Sequence, residues 1–194
     1  MIKNVKGILA ILAAVSFTFI SFVGKDTPTQ GLTIGDKAPE FKICRDKQLV
    51  DLKDLRGKYV LLSFWASYDA NSRMKNASLS HVASKSNHIE MVSVSFDNYA
   101  SIFSETIKKD RISTAHCFVE TDGENSELYQ TYRLHKGFQN YLLDENGVII
   151  AKNINAKELD SYLNWLIKKE GGRFQSMSSF FYIISVLSDK GKWQ

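Results

Sequence analysis

Apolar and polar residues alternate along the chain in short blocks that have the lengths of strands and helices. Tyr59–Trp65 is a nearly continuous apolar run, and a short run of this kind is typical of a strand that is buried on both faces. Met91–Phe96 has the same character. Two further apolar runs flank Asn146-Gly147, a dipeptide typical of a hairpin turn. The pattern therefore predicts a central sheet that includes an antiparallel hairpin.

A helix is predicted to begin directly after the first of these strands. Asp69 follows the apolar run by four residues, and aspartate is among the best N-cap residues because its carboxylate accepts backbone N–H groups of the first helical turn. The segment after Asp69 is rich in serine and asparagine and only weakly amphipathic. Its predicted apolar stripe consists of Ala70, Met74, Ala77 and Val82.

The other predicted elements follow the same alternation. Asn155 with Glu158 three residues later forms a capping box for a last helix. The predicted apolar face of that helix comprises Leu159, Leu163, Leu166 and Ile167. The remaining elements, in chain order, are strands at Phe41–Cys44 and Leu49–Leu52, a helix around Ile102–Ile107, a strand at Cys117–Val119 and a helical turn at Leu128–Tyr132.

The two ends of the chain differ from this pattern. Residues 1–24 have a basic start followed by the apolar run Gly7–Val23, which predicts a signal peptide or an uncleaved membrane anchor. The bulky Phe22 and Val23 make a poor cleavage site. We expect a linker at 25–33, a single domain at 34–172 and a C-terminal tail of unknown role at 173–194. This organisation predicts a protein of the periplasm or cell envelope.

Composition narrows the range of partners. The chain has 194 residues, of which 44% are hydrophobic and 24% charged, and its formal net charge is +4. This excess is too small to indicate binding to nucleic acid or to an anionic membrane surface. We therefore expect a protein or peptide partner in the envelope, and membrane contact only through the N-terminal segment. The oligomeric state is left open.

Cysteine and histidine give no pattern for a metal or a cofactor. Cys44 and Cys117 are the only cysteines in the sequence. They form no C-x-x-C pair and no metal-ligand spacing. Each lies in an apolar, strand-like stretch, which predicts a free, buried cysteine. The four histidines (His81, His88, His116 and His135) are scattered, so neither a metal nor a cofactor is expected.

One stretch resembles a known family. GKYVLLSFWAS followed by YDANSR resembles the strand, loop and helix start of the TlpA/ResA-like redoxins, which are thioredoxin-fold thiol–disulfide oxidoreductases of the bacterial envelope. Their motif reads approximately F-W-A-S-W-C-P-P-C-R. Gly35–Phe41 resembles the first motif of the same family. The resemblance covers about Gly35–Ile167. It implies an α/β fold of three α/β/α layers with a mixed central sheet and the redoxin insertion.

The residues of redox chemistry differ from the family pattern. Tyr68 stands for the tryptophan, Asp69 for the nucleophilic cysteine, Ala70 and Asn71 for the prolines, and Ser72 for the resolving cysteine. A helix N-terminus lowers the pKa of a cysteine placed there and makes it reactive. A carboxylate at the same position satisfies the helix end and cannot exchange disulfides.

A second family landmark is also absent. The resemblance places a cis-proline at Phe138, just before the hairpin, but the chain's only prolines are Pro28 and Pro39. A cis bond before a residue other than proline costs about 3 kcal/mol. We therefore expect a trans bond between Gly137 and Phe138, and a reshaped loop opposite Asp69.

These departures predict a non-catalytic module that retains a binding groove. The candidate groove residues are Trp65, Tyr68, Asp69, Ser72, Phe138 and Gln139. Trp65, Tyr68 and Phe138, together with Tyr141, form either an aromatic platform or part of the core. The alternative is residual oxidoreductase or antioxidant activity through Cys117 or Cys44. The sequence contains no G-x-S-x-G and no glycine-rich phosphate loop, so it gives no support to a hydrolase or nucleotide-binding protein.

Overall fold

The computed structural model describes residues 27–45 and 48–170. The predicted signal or anchor segment at 1–24 and the predicted tail at 173–194 lie outside the described residues. The helices are α1 (Ala70–Ala83), α2 (Ala100–Lys109), α3 (Glu127–Thr131) and α4 (Ala156–Glu170). The strands are β1 (Lys42–Arg45), β2 (Gln48–Asp51), β3 (Tyr59–Trp65), β4 (Ile89–Ser95), β5 (His116–Val119), β6 (Asn140–Leu143) and β7 (Ile149–Lys152).

Five of the strands form one mixed sheet in the order β5-β4-β3-β6-β7. β3 pairs in parallel with β4 and antiparallel with β6, while β4 pairs in parallel with β5. β1 and β2 form a separate antiparallel pair. The predicted α/β fold with a mixed central sheet is confirmed.

The central strand, β3, is covered on both faces. Val60, Leu62 and Phe64 point into a cluster that includes β1, β2 and α3. Leu61 points into a second cluster with α1 and α4, and Trp65 packs against α2. Because successive side chains of a strand point to opposite faces, a continuous apolar run is what this position in the sheet requires. The structure therefore has three layers, with α1, α2 and α4 on one side of the sheet.

The buried face of α1 differs from the predicted stripe. Met74 is 66% exposed. Ala77 and Val82 of the predicted stripe are partly buried against the core. The most deeply buried residues of α1 are Ser72, Asn76, Leu79, Ser80 and Ala83. The indole Nε1 of Trp65 donates to Ser93 Oγ at 2.9 Å, and that hydroxyl donates to Asn76 Oδ1 at 2.9 Å. Asn76 is thereby hydrogen-bonded to the sheet, while Ser80 Oγ donates to Ala77 O at 3.1 Å within the helix. A count of apolar positions does not detect such buried polar contacts.

The last helix and the hairpin form largely as predicted. Asn155 N donates to Glu158 at 2.8 Å and Glu158 N donates to Asn155 Oδ1 at 3.1 Å, which confirms the capping box. Ile167, however, is 51% exposed, and Tyr162 and Trp165 are buried on this helix instead. In the hairpin, Gly147 has a φ of 77°, a conformation that favours glycine.

Residues near the start of the described chain also contact the sheet. Gly31 N donates to Lys37 O at 3.0 Å, and Lys37 N donates to Thr29 O at 2.8 Å. The Lys152 ammonium donates to Leu32 O at 2.6 Å. The predicted linker segment thus packs against β7 over part of its length. Within the described residues, no helix combines the length and apolarity needed to cross a bilayer.

The observed orientation of α1 gives a stability prediction. Leu79→Ala removes a fully buried side chain from the interface between α1 and the sheet, so we expect a loss of about 3 kcal/mol in the free energy of unfolding. Met74→Ala is the matched control on the exposed face, with an expected change below about 0.5 kcal/mol. Urea unfolding of both variants measures the difference. A larger loss for Met74→Ala would show that the helix is rotated from the orientation described.

Candidate functional site

Hydrogen bonds between Asp69, Ser72 and the backbone hold the end of the loop between β3 and α1. Asp69 is the N-cap of α1, and its Oδ1 accepts from Ser72 N at 2.7 Å. Ser72 Oγ donates to Asp69 O at 3.3 Å and accepts from Ala66 N at 3.4 Å. The predicted N-cap is confirmed, and the structure places Asp69 and Ser72 together on the first turn of the helix. Both side chains satisfy local backbone groups there.

A buried carboxylate at the end of β4 holds this loop in place. Asp97 Oδ1 accepts from Ser67 N at 2.8 Å, and Asp97 Oδ2 accepts from the hydroxyls of Ser67 at 2.7 Å and Ser95 at 2.6 Å. Thr106 Oγ1 lies 2.8 Å from the Ser67 hydroxyl. Asp97 therefore connects the carboxyl ends of two parallel strands to α2.

Asp97 directly follows the predicted strand Met91–Phe96 and is not among the predicted site residues. The sequence does contain a signal for it. A carboxylate directly after an apolar strand lies at the carboxyl edge of a parallel sheet, and binding sites of such sheets lie at that edge.

Four aromatic rings form a surface beside the N-terminus of α1. Tyr68 is 72% exposed, and its ring centroid lies 6.3 Å from that of Phe138 in an edge arrangement. Phe138 is stacked on Phe96 at 5.9 Å and contacts Tyr129 edge-on at 6.5 Å. We call these residues (Tyr68, Phe96, Tyr129 and Phe138) the aromatic surface. Its base is buried and its outer ring is open to solvent.

The tyrosines of this surface keep their protons at neutral pH. Burial raises the pKa of Tyr68, and the negative charges of Asp97, Glu124 and Asp69 raise it further. Burial also raises the pKa of Tyr129, again with a contribution from Glu124. Both hydroxyls therefore remain protonated donors, and that of Tyr129 already donates to Glu124 Oε1 at 3.5 Å.

Two residues of the predicted aromatic platform lie in the core instead. Trp65 is fully buried on the α2 side of the sheet, with its ring 6.2 Å from Phe103, so its place in the candidate groove is wrong. Tyr141 is also buried, and its hydroxyl donates to Gln139 Oε1 at 3.1 Å. Trp65 is buried on that side because successive side chains of a strand point to opposite faces, so Trp65 points away from the face that carries Phe64.

The loop that carries Phe138 has no cis bond. Among the described residues no peptide bond is cis, and Gly137 has a φ of 110°. The predicted trans bond between Gly137 and Phe138 is confirmed. Gln139 O accepts from Phe64 N at 3.0 Å, which fixes this loop against β3 and places Phe138 over Phe96.

The cysteines lie away from the N-terminus of α1. Cys44 is on β1 and Cys117 is on β5, and they form no disulfide with each other. The prediction of burial is wrong for Cys44, which is exposed, and Cys117 is only partly buried. Because Ile43 points into the core, strand alternation turns Cys44 outward. The described residues contain no group of histidine, cysteine and carboxylate side chains suited to a metal ion.

An ion pair anchors α1 to the end of α2. Arg73 Nε donates to Asp110 Oδ2 at 2.6 Å, and Arg73 Nη2 donates to Asp110 Oδ1 at 2.7 Å. Both side chains are partly buried. The hydrogen bonds from Arg73 lower the pKa of the Asp110 carboxyl, with burial acting in the opposite direction.

The mixed sheet and its helices define a thioredoxin-like protein. Its candidate site is the loop between β3 and α1, which lies against the loop before β6. Comparison with known proteins agrees. The sequence model of the AhpC/TSA family matches residues 34–152. The thiol-disulfide oxidoreductase ResA of Oceanobacillus iheyensis is 26% identical over 167 residues, which cover 81% of this chain and 84% of the relative.

Solved structures show the same relationship. A thioredoxin-like protein from Parabacteroides distasonis is 38% identical, with a TM-score of 0.63, and the match covers 71% of this chain and 99% of that protein. A thiol-disulfide oxidoreductase from Bacteroides fragilis is 28% identical, with a TM-score of 0.58, covering 68% and 99% respectively. The chain belongs to the AhpC/TSA family, as a TlpA/ResA-like member related to thiol–disulfide oxidoreductases.

The Arg73–Asp110 pair gives a pH prediction. A carboxylate with a lowered pKa in the folded state stabilises the fold above the pKa it has when unfolded, about 3.9, and this contribution is lost as the pH falls further. Asp110→Asn should therefore lower the free energy of unfolding by about 1 kcal/mol at pH 7. The difference from the wild type should shrink below about pH 4.

Urea unfolding at a series of pH values measures this difference. Asp160→Asn, an exposed position on α4, serves as the control, with an expected change below about 0.5 kcal/mol at pH 7. A difference between Asp110→Asn and the wild type that stays constant down to pH 3 would contradict the role given to the ion pair.

Proposed function

We propose that this chain is a non-catalytic redoxin module that binds a partner segment at the aromatic surface and the N-terminus of α1. The observation that carries the proposal is the hydrogen bonding of Asp69 and Ser72. The family resemblance assigns these two positions to the redox cysteines. In this chain they cap the helix, with the Asp69 carboxylate accepting from Ser72 N at 2.7 Å.

Thiol–disulfide exchange needs a thiolate that can attack a disulfide sulfur. Carboxylate and hydroxyl groups do not perform this reaction. The sequence has only Cys44 and Cys117, on strands β1 and β5. A helix N-terminus, which activates a cysteine in this fold class, is present at Asp69, where no cysteine stands.

The same site has properties that suit binding. Tyr68 exposes a large ring beside the partly buried Phe138, and exposed aromatic residues over a buried base are typical anchors of protein interfaces. Asp69 uses only Oδ1 in the cap, and within the described residues its Oδ2 accepts no hydrogen bond. This second oxygen can accept a backbone N–H or a cation from the partner. These features favour an extended peptide segment that carries an apolar or aromatic residue.

The proposed partner is a protein or peptide of the cell envelope. The support is the N-terminal pattern of residues 1–24, which predicts a signal peptide or a membrane anchor. Relatives are described as thiol-disulfide oxidoreductases, and disulfides persist in proteins of oxidising compartments such as the periplasm. A binding module of the same fold would retain the contact with a polypeptide and omit the exchange step.

A second candidate function is residual redox activity. Its support is the exposure of Cys44 together with the activity for which the relatives are named. If the thiol of Cys44 reacted with a partner, the partner would contact β1 and the aromatic surface would have no role. The two candidates therefore predict different positions of contact with a partner.

Site-specific crosslinking tests the proposed binding surface. Tyr68 is replaced by p-benzoylphenylalanine in the full chain, which is then irradiated in the producing cells. We expect a discrete protein adduct at this position, because the ring at residue 68 is the outermost group of the aromatic surface. Adding Phe138→Ala should reduce the adduct severalfold, since it removes the ring that Tyr68 packs against.

The matched control places the same probe at Tyr99. That residue is 66% exposed, close to Tyr68 in accessibility, and lies at the N-terminus of α2. It should give no adduct of the same mass. Equal adducts at positions 68 and 99, or an adduct only when the probe replaces Leu49 beside β1, would contradict binding at the aromatic surface.

A further inference from the structure

A second concave site lies behind the loop that carries Phe138. It is a cavity of about 580 Å³ between the segment before β1, the end of α3 and the β6–β7 hairpin. Its volume falls in the range of small-molecule sites. Gln139, the chain neighbour of Phe138, lines the cavity, but none of the four residues of the aromatic surface does. The cavity is therefore a site separate from the aromatic surface.

The charged groups of the cavity are mostly cationic. Arg133, Lys136 and Lys152 line it, and Asp36 is the only carboxylate among its lining residues. Three positive charges and one negative charge leave a balance of 3 − 1 = +2. The Asp36 carboxylate, whose Oδ2 accepts from Thr33 N at 2.8 Å, is already included in this balance. The lining therefore has an excess of positive charge that local carboxylates do not neutralise.

Lys152 shows most clearly that the cavity lacks a counter-ion. The side chain is partly buried, and its ammonium donates to Leu32 O at 2.6 Å and lies 5.3 Å from the centre of the Tyr141 ring. No described carboxylate forms an ion pair with it. Other partly buried cations of the fold do have such partners, as Arg73 has with Asp110 and Arg56 with Glu40. A partly buried ammonium whose described partners are a carbonyl oxygen and a ring keeps its full positive charge, which an approaching anion can pair with.

The backbone at Arg133 is also unusual. This residue has a φ of 53° and a ψ of 43°, a left-handed conformation that residues other than glycine rarely adopt. It stands between α3 and the short turn Leu134–Lys136, and thereby brings Arg133 and Lys136 to the same rim of the cavity. Neither side chain has a carboxylate partner among the described residues. Strained backbone of this kind is concentrated at binding sites.

From this arrangement we infer that the cavity binds a small organic anion that carries at least two negatively charged oxygens, as a dicarboxylate, a tricarboxylate or a phosphate ester does. The arginine fork of Arg133 can bind one oxyanion in a bidentate manner. Lys152 and Lys136 supply point charges to the rest of the ligand. Thr131 and Gln139, which also line the cavity, provide neutral donors.

Titration with two probes tests this site and distinguishes the two oxyanion chemistries. Citrate and pyrophosphate are added separately to the full chain, and binding is measured by calorimetry and by backbone amide shifts. We expect saturable binding of at least one probe, with shifts at the cavity residues. The double variant Arg133→Gln/Lys136→Gln should bind that probe at least tenfold more weakly. Lys152→Gln, tested independently, should weaken binding in the same direction.

The control variant removes the same charge elsewhere. Lys108→Gln/Lys109→Gln alters two exposed residues at the end of α2, and binding should stay within twofold of the wild type. Melting temperatures of all variants verify that they fold, which is expected because Arg133 and Lys136 are exposed. The inference is overturned if neither probe saturates, if the shifts map outside the cavity, or if the control loses as much affinity as the double variant.

Discussion

The covering of β3 on both faces is the constraint on which the rest of the structure depends. Val60, Leu62 and Phe64 need one apolar layer, and Leu61 and Trp65 need another. Only a central position in a sheet with helices on one side and the β1–β2 pair with α3 on the other meets both needs. The loop after β3 must then leave the sheet at its carboxyl edge, beside the end of β4. The position of the candidate site is set by where this loop leaves the sheet.

The family resemblance assigns a redox site to this exit, and in the proposed function the chain keeps that position without the redox chemistry. Asp97 holds the loop through Ser67, and α1 begins at the position to which the resemblance assigns the nucleophile. The helix N-terminus attracts negative charge, and Asp69 supplies it as a carboxylate that accepts from Ser72 N. Phe138, packed on Phe96, takes up the space opposite. The helix N-terminus, where a thiolate would be stabilised, is capped here by Asp69, and under the proposed function the surface around it serves for binding.

Much of the frame could be predicted because it depends on local patterns. The β3 run, the Asp69 cap and the Asn155 capping box follow from periodicity and side-chain chemistry, and the structure has all three. What could not be predicted depends on contacts between distant residues. The buried polar face of α1 exists because Asn76 accepts from Ser93. The burial of Trp65 follows from strand alternation, but it required knowing which face α2 covers. The basic cavity joins residues from four separate segments, and no sequence window contains them together.

The most direct test of the account compares disulfide reduction by the wild type and by Asp69→Cys/Ser72→Cys in one insulin-reduction assay, with Cys44→Ser/Cys117→Ser as the cysteine-free control. The account predicts no turnover by the wild type above this control. It predicts that the double-cysteine variant forms an intramolecular disulfide and gains measurable turnover, because both positions lie on the first turn of α1. Wild-type turnover that disappears in the cysteine-free chain would contradict a non-catalytic module. A double-cysteine variant that forms no disulfide would contradict the placement of residues 69 and 72 at the family's redox positions.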